Sequence, residues 1–407
     1  MQRSSPCCGE MRRRNVVLNF RRCLSLSVDL HSESLVDLKA WRWPSGPRVG
    51  LNSVPIPTEP IGSIPRPRSL VDGMQAAATG SIGTGQLEAL YADAVRDTIA
   101  RFEATGSPVI TDGEQRKPSF LTYPIHGLDG LAPDGVVIPF EDGHTRQLPR
   151  LTRGPFRYQL YADAYLAEAQ GAATRPVKQA VISASAISLL YPQEGIDGYT
   201  REEFLADLKR EAETDIRRSL ARDAHCVQID FTEARLSLKL DPSGGLLRSF
   251  VELNNDVLGR FSADERRRLG VHTCPGGDHD STHSADIDYD DLLPTLFELQ
   301  AGNFYVQLAS ESDRAKVLAT IKGTLRPEQR VFVGVTDPID PRVETPEEVR
   351  DRALEAAEFI PLDQLGTTDD CGFSPFGDDT STARDTAFAK IRARVEGTAL
   401  AAHKLGF

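Results

Sequence analysis

The sequence predicts a closed (β/α)₈ barrel of the TIM type, on three observations. From residue 56 onward, short apolar runs of strand-like composition alternate with longer stretches of helical period, the mark of parallel βαβ units. There are eight such runs, the number that closes this barrel. Residues able to do chemistry fall at the C-terminal ends of the runs, the face on which barrel active sites are built. A doubly wound open sheet shares the alternation. However, no GxGxxG follows the first run, and the chemistry is not gathered at one switch point.

Residues 1–55 stand apart. They hold Arg12-Arg13-Arg14, Arg21-Arg22, both tryptophans and three of the six cysteines, with no sustained period. They read as a disordered extension, or as translated sequence upstream of a later start, and carry no assigned function. Residues 56–407 read as one catalytic barrel. Its first run, 57–64, ends in Ile61-Gly62-Ser63-Ile64, and Leu87, Leu90, Ala94, Ile99 and Phe102 then line one helical face. The second run, 108–112, ends in Gly113-Glu114-Gln115-Arg116. Residues 120–165 are Gly/Pro-rich, aromatic and aperiodic, an excursion from the scaffold.

The third run covers 178–185. A helix follows over 201–222, with Thr200 as N-cap and Glu203 as its capping-box partner. The fourth, fifth, sixth and seventh runs cover 226–230, 269–274, 304–308 and 331–336. A helix over 345–358 has Pro346 in its first turn and Glu348 three after Thr345. The eighth run covers 365–370, and a last helix runs over about 382–402.

Composition narrows the function. Hydrophobic content of 40% and charged content of 26% are those of a soluble globular protein. A net charge of −12 argues against a nucleic-acid partner, which calls for a basic face. No apolar run approaches the roughly 20 residues of a membrane span. The cysteines are too scattered for a disulfide framework, which points to a reducing cytoplasm.

His272 and Cys274 sit two apart at the end of the fifth run, and Cys371 follows the eighth. Two thiolates and an imidazole suit Zn²⁺ rather than Mg²⁺ or Ca²⁺, which want oxygen. One His-x-Cys pair with a remote Cys resembles a catalytic site with an open position more than a structural site of two short pairs. The bland alternative is two unrelated buried cysteines and a core histidine. Ser63, Asp112, Glu114, Ser183, Ser185, Asp230, Asp337, Asp369 and Asp370 also end runs. Each has a structural alternative: Ser63 closing a turn, Asp112 and Glu114 in an Asx turn or N-cap, Asp230 pairing with Arg235. His279 and His283 lie four apart and on a helix would share a face, as extra ligands or substrate contacts; the alternative, preferred for His283, is a polar loop and a cap before the helix that holds Leu292, Leu293 and Leu296.

Ile61-Gly62-Ser63, Asp112-Gly113-Glu114 with Arg116, Gln228-Ile229-Asp230, His272-Thr273-Cys274 and Asp369-Asp370-Cys371-Gly372 occur in that order. In these the chain resembles the catalytic C-terminal barrel of cobalamin-independent methionine synthase and its single-domain relatives, over nearly the whole of 56–407. The resemblance implies a zinc enzyme that activates homocysteine for methylation to methionine. It implies His272, Cys274 and Cys371 as metal ligands, Ser63 on the substrate carboxylate, and Glu114 and Asp230 on its ammonium. Asp337 is the catalytic candidate beyond the seventh run. The pattern departs at three places. Leu308, with Glu311 three later, stands where the family has a glutamate ligand. Ile339 stands where it has a histidine proton donor. Phe231-Thr232-Glu233 replaces Glu-Pro. The methyl donor is then methylfolate or a methylcorrinoid protein. The alternatives are transfer of a thiol to another electrophile, as in epoxide–coenzyme M transferases, or a non-catalytic zinc- and thiol-binding protein.

Overall fold

The structure is a computed structural model describing residues 56–407. The expectation for residues 1–55 lies outside the described residues. Six parallel strands form one sheet: Gln179–Ile182, Val227–Asp230, Leu269–Thr273, Asn303–Val306, Arg330–Thr336 and Leu365–Asp369, each bonded to its successor. These are barrel strands three to eight. Strands one and two are reduced to single bridges, Thr58 beside Thr367 and Ile110 beside Val177. Pro57, Pro60 and Pro108 lack the N–H that a longer ladder needs.

The ring nevertheless closes. Thr367 N–H donates to Pro57 O at 2.9 Å and Glu59 N–H to Thr367 O at 3.0 Å. Lys178 N–H donates to Ile110 O at 2.8 Å. Between strands one and two, Ile64 N–H donates to Gly113 O at 3.0 Å, and Thr111 Oγ1 to Gly62 O at 2.7 Å. The expected (β/α)₈ barrel is the fold.

Strands three, four, five and eight are buried along their whole length, as parallel strands wrapped by helices must be. The helices Arg201–Ala221 and Pro346–Ala357 both open with the expected reciprocal capping boxes, Thr200 with Glu203 and Thr345 with Glu348. The third run is shorter than expected, because Ser183 turns out of the strand to cap a short helix, Ala184–Ser188. The last helix is Arg384–Lys404. No described helix is long and apolar enough to cross a membrane.

Towards the N-terminal ends of the strands the barrel holds a polar cluster. Lys178 lies 3.5 Å from Glu59 and 3.4 Å over the Tyr305 ring, and Tyr305 donates to Glu59 at 2.6 Å. Burial opposes a charge on Glu59, but His225, Lys178 and Tyr305 together hold its carboxyl down at about 2.

Two additions roof the mouth. The excursion after strand two forms two small ribbons, Leu131–Ala132 with Arg150–Leu151 and Val137–Pro139 with Thr145–Gln147. After strand five, Gly277–Asp278 pairs with Ser281–Thr282 in a hairpin. Its turn residues His279 and Asp280 have φ of 51° and 56°, as a tight two-residue turn of this hand requires. Of the two alternatives for His279 and His283, the structure shows the polar loop and not a shared helical face: His279 sits in the hairpin turn and His283 directly after its second strand. The helix after it, Tyr289–Leu296, is capped by Asp288. Excursion and hairpin are joined, since Glu141 N–H donates to Thr282 O at 3.0 Å and Asp278 pairs with His144 at 3.0 Å and with Arg146.

Candidate active site

Parallel pairing sets strand ends side by side. Asp230 is in register with His272, and Ile182 with Asp230. Strand eight, closing onto strand one, brings residues 371–374 beside Ser63. Phe373 N–H donates to Ser63 O at 3.0 Å, and Ser374 N–H to Ser63 Oγ at 3.2 Å. Ser63, Glu114, Asp230, His272, Cys274 and Cys371 therefore line one pocket at the mouth.

Within it, one donor atom each from His272, Cys274 and Cys371 falls within 4.8 Å of the others, and the two Sγ atoms are 2.9 Å apart. His272 Nδ1 is buried without a hydrogen-bond partner. Thiol sulfurs packed this closely, with an unsatisfied imidazole nitrogen, form a donor set that fits a soft metal ion. Glu311 is not part of it. Its Oε1 is held by Arg235 at 3.0 Å and Gln307 at 2.7 Å.

The carboxylates are held from outside the pocket. Glu114 has φ of 55°, an uncommon left-handed backbone for a glutamate, fixed by an Asx turn in which its N–H donates to Asp112 at 2.9 Å. Lys117 Nζ donates to Glu114 Oε1 at 2.8 Å and to Ala180 O at 2.9 Å. Burial raises the Asp230 carboxyl to about 6, with His272 pulling it down and Glu114 pushing it up. Asp230 does not pair with Arg235: Gln228 donates to it at 2.7 Å, while Arg235 reaches Glu311 and the Ile287 carbonyl.

Other strand-end residues have protein partners outside the pocket. Asp369 pairs with buried Arg394 at 2.6 Å. Asp370 accepts from the N–H groups of Leu308, Ala309 and Ser310 and from the Ser310 hydroxyl, tying the loop after strand six to strand eight. Asp337 accepts from Ile339 N–H at 2.9 Å and does not line the pocket.

A second, larger cavity of about 360 Å³ lies under the roof and shares Phe120, Thr232, Gly276 and Gly277 with the first. Its walls are mainly apolar, with Phe140, Leu148, Leu189 and Leu236 among them. Arg146, in its lining, is paired with Asp278 and Asp378. His283 lines it too, its pKa lowered to about 4, first by burial and then by Lys239 and Arg235. Glu233 also lines it; from sequence it marks only a departure from Glu-Pro, because its partners come from another part of the chain. Asp278, His279 and Asp379 also cluster, but Asp278 is already satisfied by Arg146 and His144.

Fold and site together define a class: a (β/α)₈ barrel with an imidazole and two thiols gathered at its catalytic mouth. Residues 262–396, from before strand five to past strand eight, match the family described as the catalytic domain of cobalamin-independent synthase. A methionine synthase from Saccharolobus solfataricus is 23% identical over 352 residues, covering 86% of this chain and 96% of the relative. The uncharacterized protein YxjH of Bacillus subtilis is 23% identical over 359 residues, covering 83% and 92%. Among solved structures, a B12-independent methionine synthase from Shewanella sp. W3-18-1, in complex with selenomethionine, superposes with a TM-score of 0.66. That match has 18% identity and covers 86% of this chain and 98% of that one. Residues 262–396 thus carry the match to that catalytic-domain family, and most of the chain's length is similar to methionine synthases.

Proposed function

We propose that this protein is a zinc-dependent methyltransferase that methylates the thiol of homocysteine to give methionine. The observation that carries this reading is the convergence of His272, Cys274 and Cys371 beside Ser63, Glu114 and Asp230 in one pocket. It is supported by the family match over residues 262–396 and by methionine synthase relatives covered almost end to end.

His272, Cys274 and Cys371 would hold the ion. Bound there, zinc would supply the Lewis acidity that keeps a thiol deprotonated at neutral pH. The chain's own groups hold the amino acid. Glu114 and Asp230 face its ammonium, and the Ser63 hydroxyl meets its carboxylate. Lys117 and Gln228 keep the two carboxylates oriented before substrate arrives. The adjoining cavity takes the methyl donor and keeps water from the transfer. Asp337, away from the pocket, acts in this reading through the loop it braces at Ile339.

A second reading, a thiol transferred to a different electrophile, is favoured by one observation. The cavity's arginine is already neutralised by Asp278 and Asp378, which suits an uncharged partner.

The test combines metal analysis with thermal shift. We expect purified protein to carry zinc, homocysteine to raise its Tm, and Cys371→Ser to abolish both. Metal-free protein, with homocysteine affinity unchanged in Cys371→Ser, would sink the proposal. Product analysis with methylfolate and methylcorrinoid donors then separates the two readings.

A further inference from the structure

Glu233 opens the helix Glu233–Leu240 and is 6% exposed, in the wall of the larger cavity. Its hydrogen bonding is one-sided. The Ser183 and Ser185 hydroxyls both donate to Oε1, Ser183 at 2.6 Å. Neither hydroxyl has its hydrogen committed elsewhere by strong contacts. Ser183 Oγ accepts the Ala186 N–H as the cap of its helix, and Ser185 Oγ accepts from Asn254 Nδ2 at 2.7 Å. Oε2 is buried with no partner at all.

An ionised carboxylate would place half its charge on that bare, desolvated oxygen, a costly arrangement. A neutral acid removes the charge: Oε1 is the carbonyl oxygen accepting two hydroxyls, and the proton sits on Oε2, where it has no acceptor until a ligand in the cavity offers one. The surrounding charges agree. Asp230, at the end of the preceding strand, opposes ionisation, and across the cavity Arg146 is spent on Asp278 and Asp378 while His283 is held neutral. The Ser183 and Ser185 hydroxyls and the N-terminus of its own helix favour the anion, and burial outweighs them.

We propose that Glu233 is the general acid of the transfer step, its Oε2 hydroxyl protonating the leaving group of a donor bound in the apolar cavity. This rests on the methyl-transfer reading. The thiolate forms a bond to the methyl carbon as the carbon–leaving-group bond breaks with its electron pair. The leaving atom takes the proton from Oε2. The resulting carboxylate is reprotonated from solvent, which replaces the proton first lost by the thiol. Burial raises the Glu233 carboxyl to about 7, so the acid is available at neutral pH.

The experiment uses metal-loaded protein, homocysteine and two donors. From 5-methyltetrahydrofolate the methyl leaves a nitrogen that needs a proton; from trimethylsulfonium it leaves neutral dimethyl sulfide, which needs none. Glu233→Gln should lower turnover with the folate by about 10²–10⁴-fold and spare the sulfonium, as loss of a general acid requires. Wild-type turnover with the folate should fall as pH rises through about 7 and stay flat with the sulfonium. Ser185→Ala, which removes a donor that favours the anion, should move that limb to higher pH. Infrared difference spectra at pH 6 should show a protonated carboxyl band that Glu233→Gln removes.

Equal loss with both donors, or no such band, overturns the proposal. If wild type methylates homocysteine with neither donor, the methyl-transfer reading fails and the acid role with it. If zinc and homocysteine binding persist while only the donor contrast is missing, Glu233 alone is wrong.

Discussion

A β-carbon on Gly372 would lie 2.2 Å from the Ser63 hydroxyl, closer than any real contact. The site tolerates no side chain there, because the strand-eight loop must reach the serine with its backbone. Gly372→Ala should therefore displace Ser63 and weaken homocysteine binding about tenfold, on the order of 1.4 kcal/mol, with zinc content unchanged; calorimetric titration reads both. Gly276 plays a like part at φ 75°, where a β-carbon would strike the His283 ring. At this scale the sequence was partly legible. His272-Thr273-Cys274 carries two donors at one strand end, His272 on the strand and Cys274 just past it, and a spacing of two puts both on one face. Lys117 and Glu233 were not legible. Each takes its meaning from partners on other elements: Ala180 for the lysine, Ser183 and Ser185 for the acid.

Among the elements, helix starts were read correctly and strand lengths less so. A capping box is written within four residues, so Thr200 with Glu203 and Thr345 with Glu348 could be found before any fold was known. Thr345→Ala should cost about 1 kcal/mol by chemical denaturation and leave metal content untouched, because that helix lies outside the pocket. The first two strands shrank to bridges because pairing is decided by the neighbour as well as by the run. The segment after strand five was left open between two readings for a related reason. A four-residue spacing of histidines fits a helical face, yet pairing across Gly277–Asp278 and Ser281–Thr282 makes it a hairpin against the excursion.

For the whole molecule, the polar cluster inside the barrel couples closure to pH. Glu59 belongs to strand one, Lys178 to the start of strand three and Tyr305 to strand six, so its ionised form ties three parts of the ring together. Its carboxyl is depressed in the fold from 4.5 to about 2. A depressed carboxylate contributes stability that is fully present above the unfolded value and is lost as pH falls through the folded one. The depression corresponds to about 3 kcal/mol at neutral pH. The stability advantage of wild type over Glu59→Gln should thus be full above about pH 4.5 and shrink towards pH 2, followed by denaturant unfolding across that range. A difference independent of pH would show that Glu59 acts by packing alone.

Strand–helix alternation, the chemistry at strand ends and the family resemblance were properties of the sequence itself, since periodicity, caps and short motifs are local. The barrel, its mouth and the His–Cys pair followed from them. The tertiary structure decided what depends on distance. It brought Cys371 to 2.9 Å from Cys274, occupied Glu311 with Arg235 and left Asp337 outside the pocket. It also roofed the mouth with an excursion of no regular period, and so made the apolar cavity in which Glu233 keeps its proton. Burial and long-range pairing set those outcomes, and neither is encoded in the spacing of neighbours along the chain.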